Sequence, residues 1–129
     1  MSKRYSILLV EDEENLHETL KLNLELEGYE VTSAYDGNTA LQKIQAEYFD
    51  LIILDVMLPD INGKEVCQRV RSDSALDDVR IICISGMVEA DKIQDLRNAG
   101  ANHFLQKPFE VETLIDNICR LLDIEQLQT

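Results

Sequence analysis

Cations are scarce in this chain: 12 lysines and arginines stand against 25 aspartates and glutamates, a formal net charge of −13. Such a chain repels nucleic-acid phosphates and anionic membranes unless its few cations gather on one face. No basic cluster appears, so direct binding of nucleic acid or membrane is not expected. Long apolar runs are missing too. The first, residues 7–10, stops at Glu11 and Asp12, too short for a signal-peptide core and far too short to span a bilayer. Cysteine is limited to Cys67, Cys83 and Cys119, an odd number at wide spacing that fits no CxxC metal or redox pattern. They read as buried thiols of a reducing cytoplasm, the expected location. With 2 prolines and 5 glycines there is no linker-like stretch, and no repeat is visible. The chain therefore reads as one domain, 1–129, with a core at about 4–122 and a short tail at 123–129.

What is present is a set of short, nearly continuous apolar runs at 7–10, 51–54, 81–84 and, more briefly, 104–105. Strands buried on both faces of a parallel sheet read this way. A fifth segment, 31–34, mixes polar and apolar residues and suits an edge strand. Between the runs lie stripes with helical spacing. Leu16, Leu20 and Leu24 precede a stop at Gly28; Ala40, Leu41, Ile44 and Tyr48 form a second stripe. Val66 and Val70 follow Gly63, Ile93 and Leu96 lead to Gly100, and Val111, Leu114, Ile118 and Leu121 close the series. Alternating strands and helices predict an α/β fold, a doubly wound five-stranded parallel sheet covered on both faces.

Such sheets bind ligands beyond the carboxyl ends of their strands. Glu11 and Asp12 follow the first run, Asp55 the third strand, Ser85 the fourth, and Lys107, before Pro108, the fifth. Each has a plainer reading. The acidic stretch from Glu11 to Glu14 suits the first turn of a helix, Asp55 a loop, Ser85 a cap for the next helix, and Lys107 an exposed side chain. His17 and His103 lack ligand spacing and read as structural. Taken together, the three carboxylates would repel one another unless a divalent cation joined them. Mg²⁺ takes oxygen ligands of this kind together with phosphate. The set suits phosphoryl transfer.

The segments "ILLVEDEENL", "FDLIILDVMLPDINGKEV", "IICISG" and "AGANHFLQKPF" resemble the receiver domain of two-component response regulators. The resemblance runs in register from about Arg4 to Leu122. It implies a flavodoxin-like (βα)5 fold of strand order 2-1-3-4-5, with Asp55 as phosphoacceptor. Asp12 is then the main ligand of Mg²⁺ (or Mn²⁺), Glu11 a ligand through water, and the Met57 carbonyl a backbone ligand. Ser85 is implied as the switch hydroxyl, Lys107 as the phosphate-pairing cation and Phe104 as the aromatic switch. Glu11, Ser85 and Phe104 stand where aspartate, threonine and tyrosine are commoner.

The implied function is a signalling switch. Asp55 would take a phosphoryl group from the phosphohistidine of a sensor kinase or phosphotransfer protein, and the altered surface would act on a protein target or output domain. The chain would catalyse only its own phosphorylation and slow dephosphorylation. Met57 and Met87 are expected to flank the phosphoryl group and keep water from it. A receiver portion of a larger regulator or hybrid kinase is an alternative. A haloacid-dehalogenase-like phosphatase needs a second aspartate where Met57 stands. The charged face of paired basic and acidic residues through which some members of the family dimerise is altered here: Asn102 and His103 replace two acids and Asn117 an arginine, so pairing through it is not expected. The fifth helix carries an extra apolar edge, Ile115, Cys119 and Leu122, open to a partner helix or the tail.

Overall fold

The computed structural model describes residues 4–86 and 89–122. Five parallel strands, β1 (Ser6–Val10), β2 (Glu30–Ala34), β3 (Leu51–Asp55), β4 (Arg80–Ser85) and β5 (His103–Gln106), form one sheet in the order β2-β1-β3-β4-β5. Each strand is followed by a helix: α1 (Glu14–Leu26), α2 (Gly37–Ala46), α3 (Gly63–Arg71), α4 (Ala90–Asn98) and α5 (Val111–Leu121). The central strands β1, β3 and β4 carry the continuous apolar runs because both of their faces are covered.

Side-chain alternation along the strands divides the interior into two cores. Leu8, Val10, Ile52, Leu54, Ile81 and Cys83 pack against the face of α2, α3 and α4. Ile7, Leu9, Leu51, Ile53, Ile82 and Ile84 pack against α1 and α5 through Leu20, Leu24, Leu114 and Ile118. Helix starts are set by local side chains. Glu13, Asp36 and Asn62 accept the backbone N–H of Leu16, Thr39 and Glu65, the N-cap arrangement that satisfies donors left over at a helix start. Gly28 ends α1 at a φ of 98°, where a side chain would be strained.

Three expectations change. The second stripe stops short of Tyr48: α2 ends at Ala46, Tyr48 is exposed, and the next residue, Phe49, enters the core instead. The apolar edge of α5 is mostly internal. Cys119 is buried with its sulfur 3.5 Å from the Tyr29 hydroxyl, and Ile115 and Leu122 pack against the α1–α5 core. Asn117 is buried as well, so it is no part of a charged surface. The tail, 123–129, lies outside the described residues.

Candidate phosphoryl-transfer site

Strand order reverses between β1 and β3, and the loops leaving their carboxyl ends diverge there. The four acids after β1 take four separate positions. Glu11 is fully buried, and its carboxylate accepts the Glu13 N–H at 2.9 Å. Asp12 is exposed, Glu13 is the N-cap of α1, and Glu14 occupies the first helical turn. The helix-start reading therefore holds for the last two acids only.

Asp55 ends β3 and is 3% exposed. One carboxylate oxygen accepts the Met57 N–H at 2.9 Å, and the other accepts Lys107 Nζ at 3.1 Å. Lys107 also lies 2.9 Å from Glu11 Oε1. It is held from its backbone, where its N–H donates to the Ser85 carbonyl at 2.7 Å. One ammonium thus bridges two buried carboxylates that come from different strands. Oxygen atoms of Glu11, Asp12 and Asp55 all lie within 4.8 Å of one another. Burial pushes the Glu11 carboxyl up to about 7, against the pull of the Glu13 amide and Lys107. Burial acts the opposite way on Lys107, but Glu11 and Asp55 outweigh it and raise the ammonium above the ordinary lysine value. The pocket gains from positive charge. An all-oxygen donor set of this kind fits a hard divalent cation and no soft metal.

Ser85 ends β4, fully buried, and its hydroxyl has no hydrogen-bond partner among the described residues. It does not cap a helix, since α4 starts at Ala90 with Glu89 as N-cap. Phe104 on β5 is half-buried, packed on the α2–α4 core and directly across from Cys83 in the strand register. Met57 points outward, 71% exposed, on the rim of a cavity of about 570 Å³ that Val56, Lys64, Lys92 and Leu96 also line. Met87 lies outside the described residues.

Three supporting residues had no clear signal in the sequence. His17 is fully buried, with Nδ1 2.8 Å from the Glu11 carbonyl and Nε2 2.8 Å from the Ser33 hydroxyl, and its ring stacks on Tyr35. It fixes the turn that presents Glu11 and Asp12. Asp60 accepts the N–H groups of Gly37 and Asn38 at 2.8 Å each, tying the loop after Asp55 to the start of α2. Gly63 closes that loop: its N–H donates to the Val56 carbonyl at 3.0 Å, and a β-carbon would sit 2.8 Å from Val56 Cα. The glycine was visible in the sequence, but the close approach that demands it was not.

Buried acids at the ends of two strands, an ammonium between them and a buried hydroxyl on a neighbouring strand gather at the carboxyl edge of a doubly wound sheet. The response regulator receiver domain family matches residues 7–119; the chain belongs to that family, as the receiver domain of a two-component response regulator. It is 43% identical over 117 residues to the response regulator ArlR of Staphylococcus aureus, covering 90% of this chain and 52% of that protein. The chain thus spans about half the length of the curated relatives it matches. A CheY-like response regulator receiver domain protein of Methanospirillum hungatei superposes with a TM-score of 0.88 at 29% identity, over 98% of this chain and 100% of the other. A chemotaxis response regulator of Vibrio cholerae gives 0.87 at 34% identity, over 92% and 99%. Among the described residues no helix is long and apolar enough to cross a membrane.

Proposed function

We propose that Asp55 receives a phosphoryl group from a phosphohistidine on a partner kinase or phosphotransfer protein, and that the acyl phosphate resets slowly by hydrolysis. The observation that carries this reading is the Lys107 ammonium shared between Asp55 and Glu11. It holds the nucleophile in place and supplies a cation for the incoming phosphoryl oxygens. An Asp55 oxygen attacks phosphorus in line, the P–N bond breaks, and the imidazole leaves with the bonding pair. Glu11, Asp12, Asp55 and the Met57 carbonyl would hold Mg²⁺ or Mn²⁺, which when bound neutralises charge on the transferring group. Lys107 pairs with one phosphoryl oxygen. Ser85, buried with its hydroxyl unpaired, donates to another, and Phe104 moves into the space it leaves. The surface of α4, β5 and α5 changes and is read by a protein target or an output domain, so the chain serves as a switch within a larger regulator or beside a separate partner. The chain's catalysis is confined to its own phosphate, and a cytoplasmic location fits the kinase donor.

Incubation with acetyl phosphate and Mg²⁺ should add one phosphate by mass spectrometry, and none to Asp55→Asn. A stable phosphate on that variant would refute the assignment. Met57, on the cavity rim next to Asp55, would border the approach of water and cannot orient it. Met57→Asn should therefore shorten the lifetime of the acyl phosphate, by up to about tenfold; an unchanged decay would remove Met57 from that role.

A further inference from the structure

We propose that Cys67 and Cys83 form a dithiol–disulfide couple, a covalent-modification site that joins α3 to β4 beneath Phe104. The two residues stand 16 positions apart in the chain, yet their sulfurs lie 3.9 Å from each other, and both are fully buried. A disulfide needs its sulfurs about 2.05 Å apart on β-carbons about 3.5–4.5 Å apart. Closure therefore asks for an approach of about 2 Å shared between two side chains that already face each other. Cys119 cannot compete for either sulfur, because it sits on the other side of the sheet against Tyr29.

The two thiols differ in reactivity. The Cys83 thiol, hydrogen-bonded to Cys67, lowers the pKa of Cys67 against its burial, and the Arg71 guanidinium one turn further along α3 adds to the effect. Cys83 is pushed up instead, first by the same hydrogen bond and then by burial. With Cys67 taken as the attacking sulfur and Cys83 as the resolving one, the linked product is the same as in the opposite order.

A small, neutral peroxide is the oxidant this site admits. Val56 and Leu96 line the cavity beside α3 and α4, and both also pack in the core cluster that holds the pair. The Cys67 thiol sulfur attacks one peroxide oxygen, the O–O bond breaks, and the departing hydroxide takes the thiol proton as water, leaving a sulfenic acid. The Cys83 sulfur then attacks the sulfenic sulfur, the S–O bond breaks, and the second hydroxide leaves with the Cys83 proton. Two thiols have lost two electrons and two protons, and the peroxide has become two waters. The bond would tighten the surface on which Phe104 rests, since Cys83 is its register partner and lies two residues before Ser85.

The test is graded hydrogen peroxide on the reduced 129-residue chain, followed by non-reducing tryptic mass spectrometry. Peptides 65–69 and 81–92 should appear linked and lighter by two hydrogens, at peroxide levels that leave Cys119 a thiol. Cys67→Ala and Cys83→Ala should each lose the link. Because the map is read on the unsubstituted chain, a variant that fails to fold does not blunt it. Amide exchange across α3 and β4 should slow by about tenfold in the linked form. Passage of either cysteine to sulfinic acid without a link, earlier reaction of Cys119, a link that forms only in urea, or unchanged exchange would each overturn the proposal.

Discussion

Lys107 Nζ lies 2.9 Å from Glu11 and 3.1 Å from Asp55, the position where an added cation would also relieve the two carboxylates. The lysine therefore has two opposed effects. It orients Asp55 and favours the arriving phosphoryl group, and it repels a metal ion from the same pocket. At about 4 Å one unit charge is worth about 1 kcal/mol even at the dielectric of bulk water, a lower bound for two buried carboxylates. Lys107→Ala should thus bind Mg²⁺ roughly fivefold more tightly while accepting phosphate more slowly from acetyl phosphate. Asp12→Ala supplies the contrast. Asp12 is exposed and its loss leaves the cores intact, but it removes one of the proposed ligand oxygens, so the Mg²⁺-dependent shifts around Asp55 and Lys107 should vanish while the fold is retained. Weaker Mg²⁺ binding in Lys107→Ala would mean that the ammonium organises the carboxylates more than it competes with the metal.

Between elements, the loop from Asp55 to Gly63 is anchored at both ends, by Gly63 on Val56 and by Asp60 on α2. Both Asp60 oxygens are engaged, and hydrogen bonds from the Gly37, Asn38 and Ile61 amides hold its carboxyl below the usual carboxylate range. It acts as an N-cap delivered from another element. Asp60→Ala should cost about 1 kcal/mol in a urea melt, the usual worth of a cap, and should weaken Mg²⁺ binding because the Met57 carbonyl loses its anchor. Unaltered stability would show that water replaces the carboxylate at no cost. This clamp was not legible in the sequence. Strands read clearly from residues 7–10, 51–54 and 81–84 because burial on both faces leaves an uninterrupted apolar signature, and residues at strand ends follow from the fold's geometry. The contacts of Asp60 and His17 join segments distant in sequence and use ordinary polar residues, which carry no periodicity. Tyr48 misled for a related reason. Its spacing continues the α2 stripe, but the helix ends before it and the turn places Phe49 inward instead. The cysteine pair was hidden likewise, since parallel topology alone brings α3 over β4.

For the molecule as a whole, the question is what the α4–β5–α5 face can join. A stable two-fold interface hides about 800 Å² on each partner around a desolvated apolar centre. Among the described residues the exposed large hydrophobic side chains are Leu22, Leu26, Tyr35, Tyr48 and Met57, and none of these belongs to α4, β5 or α5. The polar residues that would pair across a dyad are used internally. Asn102 accepts the Ile81 N–H at 2.8 Å and Arg71 Nη2 at 3.0 Å, and Asn117 is buried. His103 is half-buried, and burial together with Arg97 and Arg120 lowers its pKa, so it offers no cation at neutral pH. Each copy also carries a net charge of −13, which opposes association until salt screens it. Light scattering at tens of micromolar, with and without the phosphoryl mimic beryllofluoride, should therefore give the monomer mass in both states. A mimic-dependent dimer that Arg97→Ala or Arg120→Ala dissolves would overturn this, because it would show that the few cations on the face pair across a dyad despite the missing apolar centre.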